Sequence, residues 1–433
     1  MKVYFVGIGG IGISGLAQYY LEKGHEVYGF DLVWSEITDY LKKKKIKFTQ
    51  KIPQGTDLII HTSAVQANSP FLREAIANGI KVKSYPEALG EITKEYFTIA
   101  ISGTHGKSTT SAMIALILQK AGLDPTVIVG TKLKEFGNTN FRPGKSKYLV
   151  IEADEWNFSF LNYWPQIIVL TNIEEEHMDT YKDLNHIIKT YKEYVGHLSS
   201  SGVLVANGDD KNIKKIQNPC LAGRQANVKC QKYSINQKET EELKNILKIP
   251  GQHNVSNALA ALAVARELGI PDNVTFEALG EYRGAWRRFE ERKLKIGNRN
   301  FKIIHDYGHH PTEIAATLKA AREKYPDKKL WCVFQPHQYQ RTYYLFDDFA
   351  KVFSNSPIDK TIITDIYDVA GRENKEIKKK VSSKKLVKRI RQLTEKENVI
   401  YLPKERIKSY LKNNLEGKEI IVIMGAGDIY QLW

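Results

Sequence analysis

Apolar residues along the chain follow two alternating patterns. Short β-branched runs, KVYFVGI at 2–8, HEVYGFD at 25–31 and DLIIHTSA at 57–64, are bounded by glycine and polar turns and predict buried strands. Between the first two, ISGLAQYYLEKG at 13–24 has helical spacing and stops at Gly24. A strand–helix–strand series of this kind predicts a parallel sheet over residues 1–95. The pattern restarts at Phe97: FTIAIS is a strand, STTSAMIALILQKAG a helix closed by Gly122, and KYLVIEAD and QIIVLTNI further buried strands. The alanine-rich NVSNALAALAVARELG at 254–269 reads as the helix that closes this second segment. A third series follows residue 290, with strands in FKIIHD, KKLWCVFQP, TIITDI and EIIVIMGAG. The expected fold is therefore α/β with three domains, at 1–95, 96–289 and 290–433, and mostly parallel sheets.

Composition changes this picture little. The 433 residues are 42% hydrophobic and 26% charged, which suits about three domains of ~150 residues. No apolar run approaches the ~18–20 residues of a membrane span. The N-terminal MKVYFVGIGG reads as a first strand rather than a signal peptide, so a cytoplasmic protein without a membrane partner is expected. Cys220, Cys230 and Cys332 are too few and too scattered for a disulfide framework and read as ordinary thiols. The net charge of +15 fits either nucleic acid or small polyanionic substrates. The lysine runs at 42–45 and 375–392 have the look of solvated helix faces, which favours the second reading and no nucleic acid.

Candidate chemistry lies at the strand exits. GIGGIG, from Gly7 to Gly12, follows a strand and opens a helix, so Gly9, Gly10, Ile11 and Gly12 can bring backbone amides to a diphosphate. Asp31 ends the next strand, where a carboxylate can meet a ribose or a base; a nicotinamide dinucleotide and another diphosphate nucleotide fit equally. GTHGKS lacks the first glycine of G-x-x-x-x-G-K-[ST] but has the strand–loop–helix context of a phosphate cradle. Gly103, Thr104, His105, Gly106 and Thr109 would line it, Lys107 would neutralise phosphate, and Ser108 would offer a hydroxyl to Mg²⁺. Glu152, Asp154 and Glu155 end one neighbouring strand; Asn172, Glu174, Glu176, His177 and Asp179 follow another, a plausible Mg²⁺ shell. HDYGHHPTE at 305–313 places His309 and His310 on an extended segment with no further ligand at zinc spacing, so substrate contacts are the better reading. FQPHQYQRT carries His337 and Arg341, which suit an anionic partner; Arg287 and Arg288 read either as such contacts or as a solvated linker.

In this order GTHGKST, EADE, TNIEEEHMDTY, GQHNVSNALAA, RRFE, DYGHHPTE, FQPH and GAGDI closely resemble the Mur ligases, and most of all their alanine-adding members. The resemblance covers the whole chain. It implies an N-terminal Rossmann-like domain for a UDP-sugar, a central P-loop ATPase domain and a C-terminal Rossmann-like domain. It implies an ATP- and Mg²⁺-dependent ligase that joins L-alanine to the lactyl carboxylate of UDP-N-acetylmuramate through an acyl phosphate. The alternative is a ligase adding another amino acid or a recycled tripeptide to the same sugar. Carried onto this chain, the resemblance makes Lys107 the phosphate lysine, and Ser108, Glu152 and His177 the metal ligands. Asn254, Asn257, Arg288 and Asp306 would contact ATP. Tyr307, His309, His337 and Arg341 would face the muramate end and the amino acid, with His309 or His337 the base for the amine. His61 and Ser63 would touch the UDP-sugar. Gln338, Trp156 and Asn157 depart from the commonest residues at their positions, while Lys189 and Lys192 read as exposed helix lysines rather than carbamylated ligands. A monomer or weak homodimer is expected. A basic ATPase acting on nucleic acid would need neither EADE, HHP nor the glycine turn.

Overall fold

A computed structural model describes residues 1–65, 69–220, 228–296, 299–369, 375–394 and 397–432. The chain divides into two compact units: Met1–Glu174, Leu184–Leu243 and Asn257–Glu281 form one, and Glu175–Asp183, Lys244–Ser256 and Tyr282–Trp433 the other.

The first unit holds two sheets. One is parallel, in the order β3-β2-β1-β4-β5, with β1 Lys2–Val6, β2 Glu26–Phe30, β3 Lys47–Phe48, β4 Leu58–His61 and β5 Lys81–Ser84. The chain leaves β1, turns through the glycines and enters the helix Ile11–Glu22, while β2 and β4 flank β1 on opposite sides. The glycine turn therefore sits at the point where strand order reverses, the place where such sheets bind ligands. The helix ends at Gly24, whose φ of +79° suits a residue without Cβ.

The other sheet of this unit runs β12-β11-β10-β6-β9-β7-β8. Its strands are β6 Phe97–Ser102, β7 Thr126–Leu133, β8 Thr139–Arg142, β9 Tyr148–Glu152, β10 Ile167–Leu170, β11 Val203–Asn207 and β12 Lys229–Tyr233. All neighbours are parallel except β8, which runs antiparallel to β7. Strand β6 lies between β9 and β10, so the loop leaving it is walled by the exits of both. The helix Lys107–Lys120 that follows is buried over most of its circumference, from Ser108 through Ala115. That is why its apolar pattern lacks a polar face.

The second unit is built on a sheet of order β13-β14-β18-β15-β16-β17. Its strands are β13 Glu290–Ile296, β14 Arg299–Asp306, β15 Leu330–Phe334, β16 Lys360–Ile363, β17 Val399–Tyr401 and β18 Ile420–Met424. Only β13 is antiparallel. The last strand inserts between β14 and β15, and apolar clusters cover both faces: Ile304, Phe334 and Val422 on one, Ile303, Val333 and Ile423 on the other. The fold is α/β with mostly parallel sheets, as the sequence pattern predicts. The alanine-rich helix spans Gln252–Glu267, with its residues through Ser256 grouped in the second unit and those from Asn257 in the first. Cys230 and Cys332 are free thiols, and the side chain of Cys220 lies outside the described residues. Among the described residues no helix is long and apolar enough to cross a membrane.

His305, in β14, is buried, and neither ring nitrogen has a hydrogen-bond partner. Burial, reinforced by Arg292, lowers its pKa to about 4. Between that value and ~6.5 the unfolded chain binds the proton and the folded chain does not. The stability this group permits is intact above pH ~6.5 and falls as pH drops toward 4. We predict that His305→Leu flattens the decline in Tm between pH 7 and pH 5, gaining more at the acid end. An unchanged slope would count against this assignment.

Candidate active site

The loop from β6 to the helix Lys107–Lys120 is shaped by two glycines with positive φ, Gly103 at +136° and Gly106 at +85°. A Cβ at Gly106 would collide with Asn257 Oδ1, and one at Gly103 with Thr171 Oγ1. The β10 exit clamps the loop. Thr104 N donates to the Asn172 carbonyl at 3.0 Å, His105 N to Asn172 Oδ1 at 2.8 Å, and Thr171 Oγ1 to the His105 carbonyl at 2.6 Å. Glu174 N in turn donates to Thr104 Oγ1 at 2.9 Å. With its backbone fixed this way, the loop needs no first glycine of the longer motif.

Lys107 folds back over the loop, donating to the Gly103 carbonyl at 2.6 Å and to Glu155 Oε2 at 3.0 Å. Burial pulls its pKa down, but Glu155, Asp154 and Glu152 outweigh that and hold the ammonium protonated. Ser108 Oγ donates to Glu152 Oε2 at 3.0 Å, and Gly130 N to Glu152 Oε1 at 2.5 Å. A hydroxyl and a carboxylate from neighbouring elements thus share one point beside a fixed cation.

In the same unit, Gly9 N donates to Asp31 Oδ2 at 2.7 Å and Val33 N to Asp31 Oδ1 at 3.0 Å, so Asp31 braces the glycine turn. Gly12 packs against Tyr85, whose hydroxyl would lie 3.1 Å from a Cβ there. Burial, with Glu152 and Asp154 adding, raises the Tyr85 pKa. Nδ1 of His61 lies 3.0 Å from the Thr62 carbonyl, and Ser63 is half-buried on the loop beyond β4.

The second unit gathers another group. Arg341 Nε and Glu176 Oε1 form a buried ion pair at 2.8 Å, with side chains only 5% and 7% exposed. Burial works against the Glu176 carboxylate, but the Arg341 guanidinium outweighs it and holds its pKa well below the usual range. Arg341 also donates to the His337 carbonyl at 3.0 Å, and the His337 ring stacks on Tyr367 at 5.5 Å. The His309 ring lies edge-on to His337 at 6.0 Å. His309 Nδ1 contacts the Tyr307 carbonyl at 3.1 Å, so this nitrogen carries the proton and Nε2 the lone pair. Burial lowers the His309 pKa to about 3, leaving the imidazole neutral at physiological pH.

His310 keeps an extended backbone, with φ −99° and ψ 147°, and caps the helix Pro311–Lys324, with Pro311 in the first turn and Glu313 closing a capping box. One expectation needs correction: Arg287 is not a solvated linker residue. It is 4% exposed, lies 4.1 Å from the Tyr430 ring centroid and 4.8 Å from that of Tyr307, and donates to the Gly425 carbonyl. Arg288 stacks on Tyr307 at 4.9 Å. Asp306 is buried, accepts from Phe289 N and Gly308 N at 2.9 and 2.8 Å, and has its pKa raised by that burial. Asn254, near the start of Gln252–Glu267, donates to the Pro250 carbonyl at 2.6 Å.

The structure thus brings Gly103 through Thr109, Glu152 and Asn257 together in the first unit, and Tyr307, His309, His337 and Arg341 in the second. His177 belongs to the second unit, at the positive φ of 56° that a non-glycine residue adopts only under constraint. Sequence reading missed the partners that orient these groups: Glu155 for Lys107, Gly130 for Glu152, and Glu176 for Arg341. Positive φ at Asn157, Phe158, Arg287 and Gln338 likewise left no sequence signal.

This arrangement, a short glycine loop carrying Lys107 and Ser108 in one unit with a second glycine turn after β1, and a third α/β sheet following in the chain, defines a class. The chain belongs to the Mur ligase family. Profiles for the Mur ligase family catalytic domain, the Mur ligase middle domain and the Mur ligase glutamate ligase domain match residues 2–97, 101–265 and 287–427. It is 41% identical to the UDP-N-acetylmuramate–L-alanine ligase of Acetivibrio thermocellus, across 99% of this chain and 94% of that one. The corresponding ligase of Clostridium acetobutylicum is 37% identical over 100% and 96%. In fold it resembles the crystal structure of UDP-N-acetylmuramate-alanine ligase from Thermotoga maritima, with a TM-score of 0.80 at 24% identity over 100% and 97% of the two chains.

Removing one partner of the Glu176–Arg341 pair strands a buried charge. Arg341→Met is predicted to lower unfolding free energy by about 3–5 kcal/mol, with Glu176→Met added in the same chain recovering most of it. Urea denaturation of the three proteins measures this; equal losses in the single and double variants would contradict it.

Proposed function

We propose that the protein is an ATP-dependent ligase joining L-alanine to the lactyl carboxylate of UDP-N-acetylmuramate, with ADP and phosphate released. The observation that carries the reading is the Lys107 loop with its Ser108–Glu152 pair, in one unit with a glycine turn suited to a nucleotide diphosphate. The relatives that match the chain from end to end carry that activity in their names.

Ser108 and Glu152 are hard oxygen donors already aimed at one point, which fits Mg²⁺, with His177 the third expected ligand. When bound, the ion neutralises charge on the transferring phosphate. Lys107 supplies a second, permanent positive charge at the loop, held in place by Glu155. An oxygen of the lactyl carboxylate attacks the γ-phosphorus as the bond to ADP breaks, giving an acyl phosphate. The amine of alanine then attacks the carbonyl carbon; the C–N bond forms, the C–O bond to phosphate breaks, and phosphate departs. The amine proton goes to an imidazole nitrogen, for which His309 Nε2 and His337 are the candidates. Arg341, fixed by Glu176, suits the carboxylate of the amino acid. Asn254, Asn257, Arg288 and Asp306 are assigned to ATP, and Gly9, Gly10, Ile11, Gly12, Asp31, His61, Ser63 and Tyr307 to the UDP-sugar side. This reading includes a cytoplasmic monomer or weak homodimer acting on small molecules, and three domains at 1–95, 96–289 and 290–433.

Phosphate release from MgATP with UDP-N-acetylmuramate, scanned over single amino acids, tests it. Release that needs both the sugar and L-alanine, and that Lys107→Ala abolishes, is expected. Release that needs the sugar and a tripeptide would favour the recycling ligase, and turnover driven by DNA would refute the assignment.

A further inference from the structure

The glycine turn and the phosphate loop stand at the ends of two different sheets, yet a carboxylate carried by one ligand must reach a phosphorus carried by the other. A buried set of side-chain amides joins the two sheets. Gln18, in the helix Ile11–Glu22, and Asn140, in β8, are 6% and 4% exposed. Asn140 Nδ2 donates to the Ile11 carbonyl, at the glycine turn itself, and to Ser14 Oγ at 3.0 Å. Asn140 Oδ1 accepts from Gln18 Nε2 at 3.0 Å, and Gln18 Oε1 accepts from the Thr139 hydroxyl at 2.9 Å. Gln18 Nε2 also reaches the Ser14 carbonyl at 3.2 Å. Each amide thus uses its nitrogen and its oxygen across the seam, a specificity that apolar packing lacks.

Two independent features support the seam. Gly15 sits inside the helix, where glycine costs about 1 kcal/mol against alanine. A Cβ there would lie 3.1 Å from both Asn140 Nδ2 and Ile128 Cγ2, so its absence lets the helix lie against β7 and β8. Lys132 of β7 pairs with Glu36 of the helix Glu36–Lys43 at 2.8 Å. The same strand β7 carries Gly130, whose amide holds the Glu152 carboxylate. The connection therefore runs from Ile11 through Asn140 to the β7–β8 pair, whose register shifts between Ile128 and Leu133, and Gly130 within that stretch holds the carboxylate beside Ser108.

We propose that the Gln18–Asn140–Thr139 network is a spacer that sets the distance from the sugar-nucleotide turn to the γ-phosphate. Gln18, Asn140, Thr139 and Gly15 are then positioning residues for phosphoryl transfer; this rests on the ligase reading above. Misplacement of reacting groups by about 1 Å costs on the order of 100-fold in rate. Binding of either ligand alone involves no such distance.

The test compares Gln18→Met, Gly15→Ala, Thr139→Val and Thr139→Ser in the full chain. It measures kcat, the Kd of UDP-N-acetylmuramate alone, the Kd of a non-hydrolysable ATP analogue alone, and urea stability. Gly15→Ala raises helix propensity, which favours its remaining folded. We expect kcat to fall roughly 10- to 100-fold in the first three with both Kd values unchanged, and Thr139→Ser to retain the wild-type kcat. Folded Gly15→Ala and Gln18→Met proteins with wild-type kcat would overturn the proposal, since the network would then be packing alone. A weakened Kd for the sugar nucleotide at constant kcat would overturn it too, marking these as ligand-binding residues. Inactivity of the wild-type chain with UDP-N-acetylmuramate and L-alanine would fell the ligase reading first, which keeps the two failures apart.

Discussion

The buried pairing of Lys107 with Glu155 is the constraint on which the rest of the first unit depends. A cation held within a loop of carbonyls and backbone amides must be both desolvated and compensated. The chain meets both demands by bringing β9 and β10 to either side of β6, so that acids and amides from two strand exits converge on one loop. The ammonium is thereby kept charged and aimed before any nucleotide arrives. Preorganised charge of this kind costs no reorganisation when the phosphate moves, which is why it suits phosphoryl transfer.

The second unit solves a parallel problem in another way. Its buried arginine is balanced by Glu176, and the His309 imidazole is kept neutral by burial and by Arg341. A neutral imidazole with its lone pair on Nε2 can accept a proton from an amine, whereas a charged one cannot. Arg287 belongs to the same economy of buried charge. Its guanidinium is enclosed by Tyr307 and Tyr430 and tied to the carbonyls of Gly425 and Gly427, anchoring the glycine-rich end of β18.

Strands and helices were legible because each buried strand is a short apolar β-branched run closed by a turn residue, as in FTIAIS before Gly103 and EIIVIM before Gly425. The phosphate loop was legible because Lys107 and Ser108 follow a strand and open a helix. What the pattern could not supply was pairing between elements distant in the chain. Nothing in EADE tells which acid turns inward to Lys107, and nothing in EEEH marks Glu176 as the partner of an arginine 165 residues away. The HHP run was legible as extended backbone as far as His310, but not as a helix cap; Glu313, three residues after His310, is the cue to a capping box.

The central claim is that phosphate passes to the carboxylate before the amide forms. Oxygen-18 in the lactyl carboxylate of UDP-N-acetylmuramate tests it directly, with mass analysis of the phosphate released during turnover with ATP and L-alanine. One labelled oxygen per phosphate released is the predicted result, since the attacking carboxylate oxygen leaves with phosphorus. Phosphate free of label, with both labelled oxygens still on the sugar, would show hydrolysis uncoupled from the carboxylate and contradict the account.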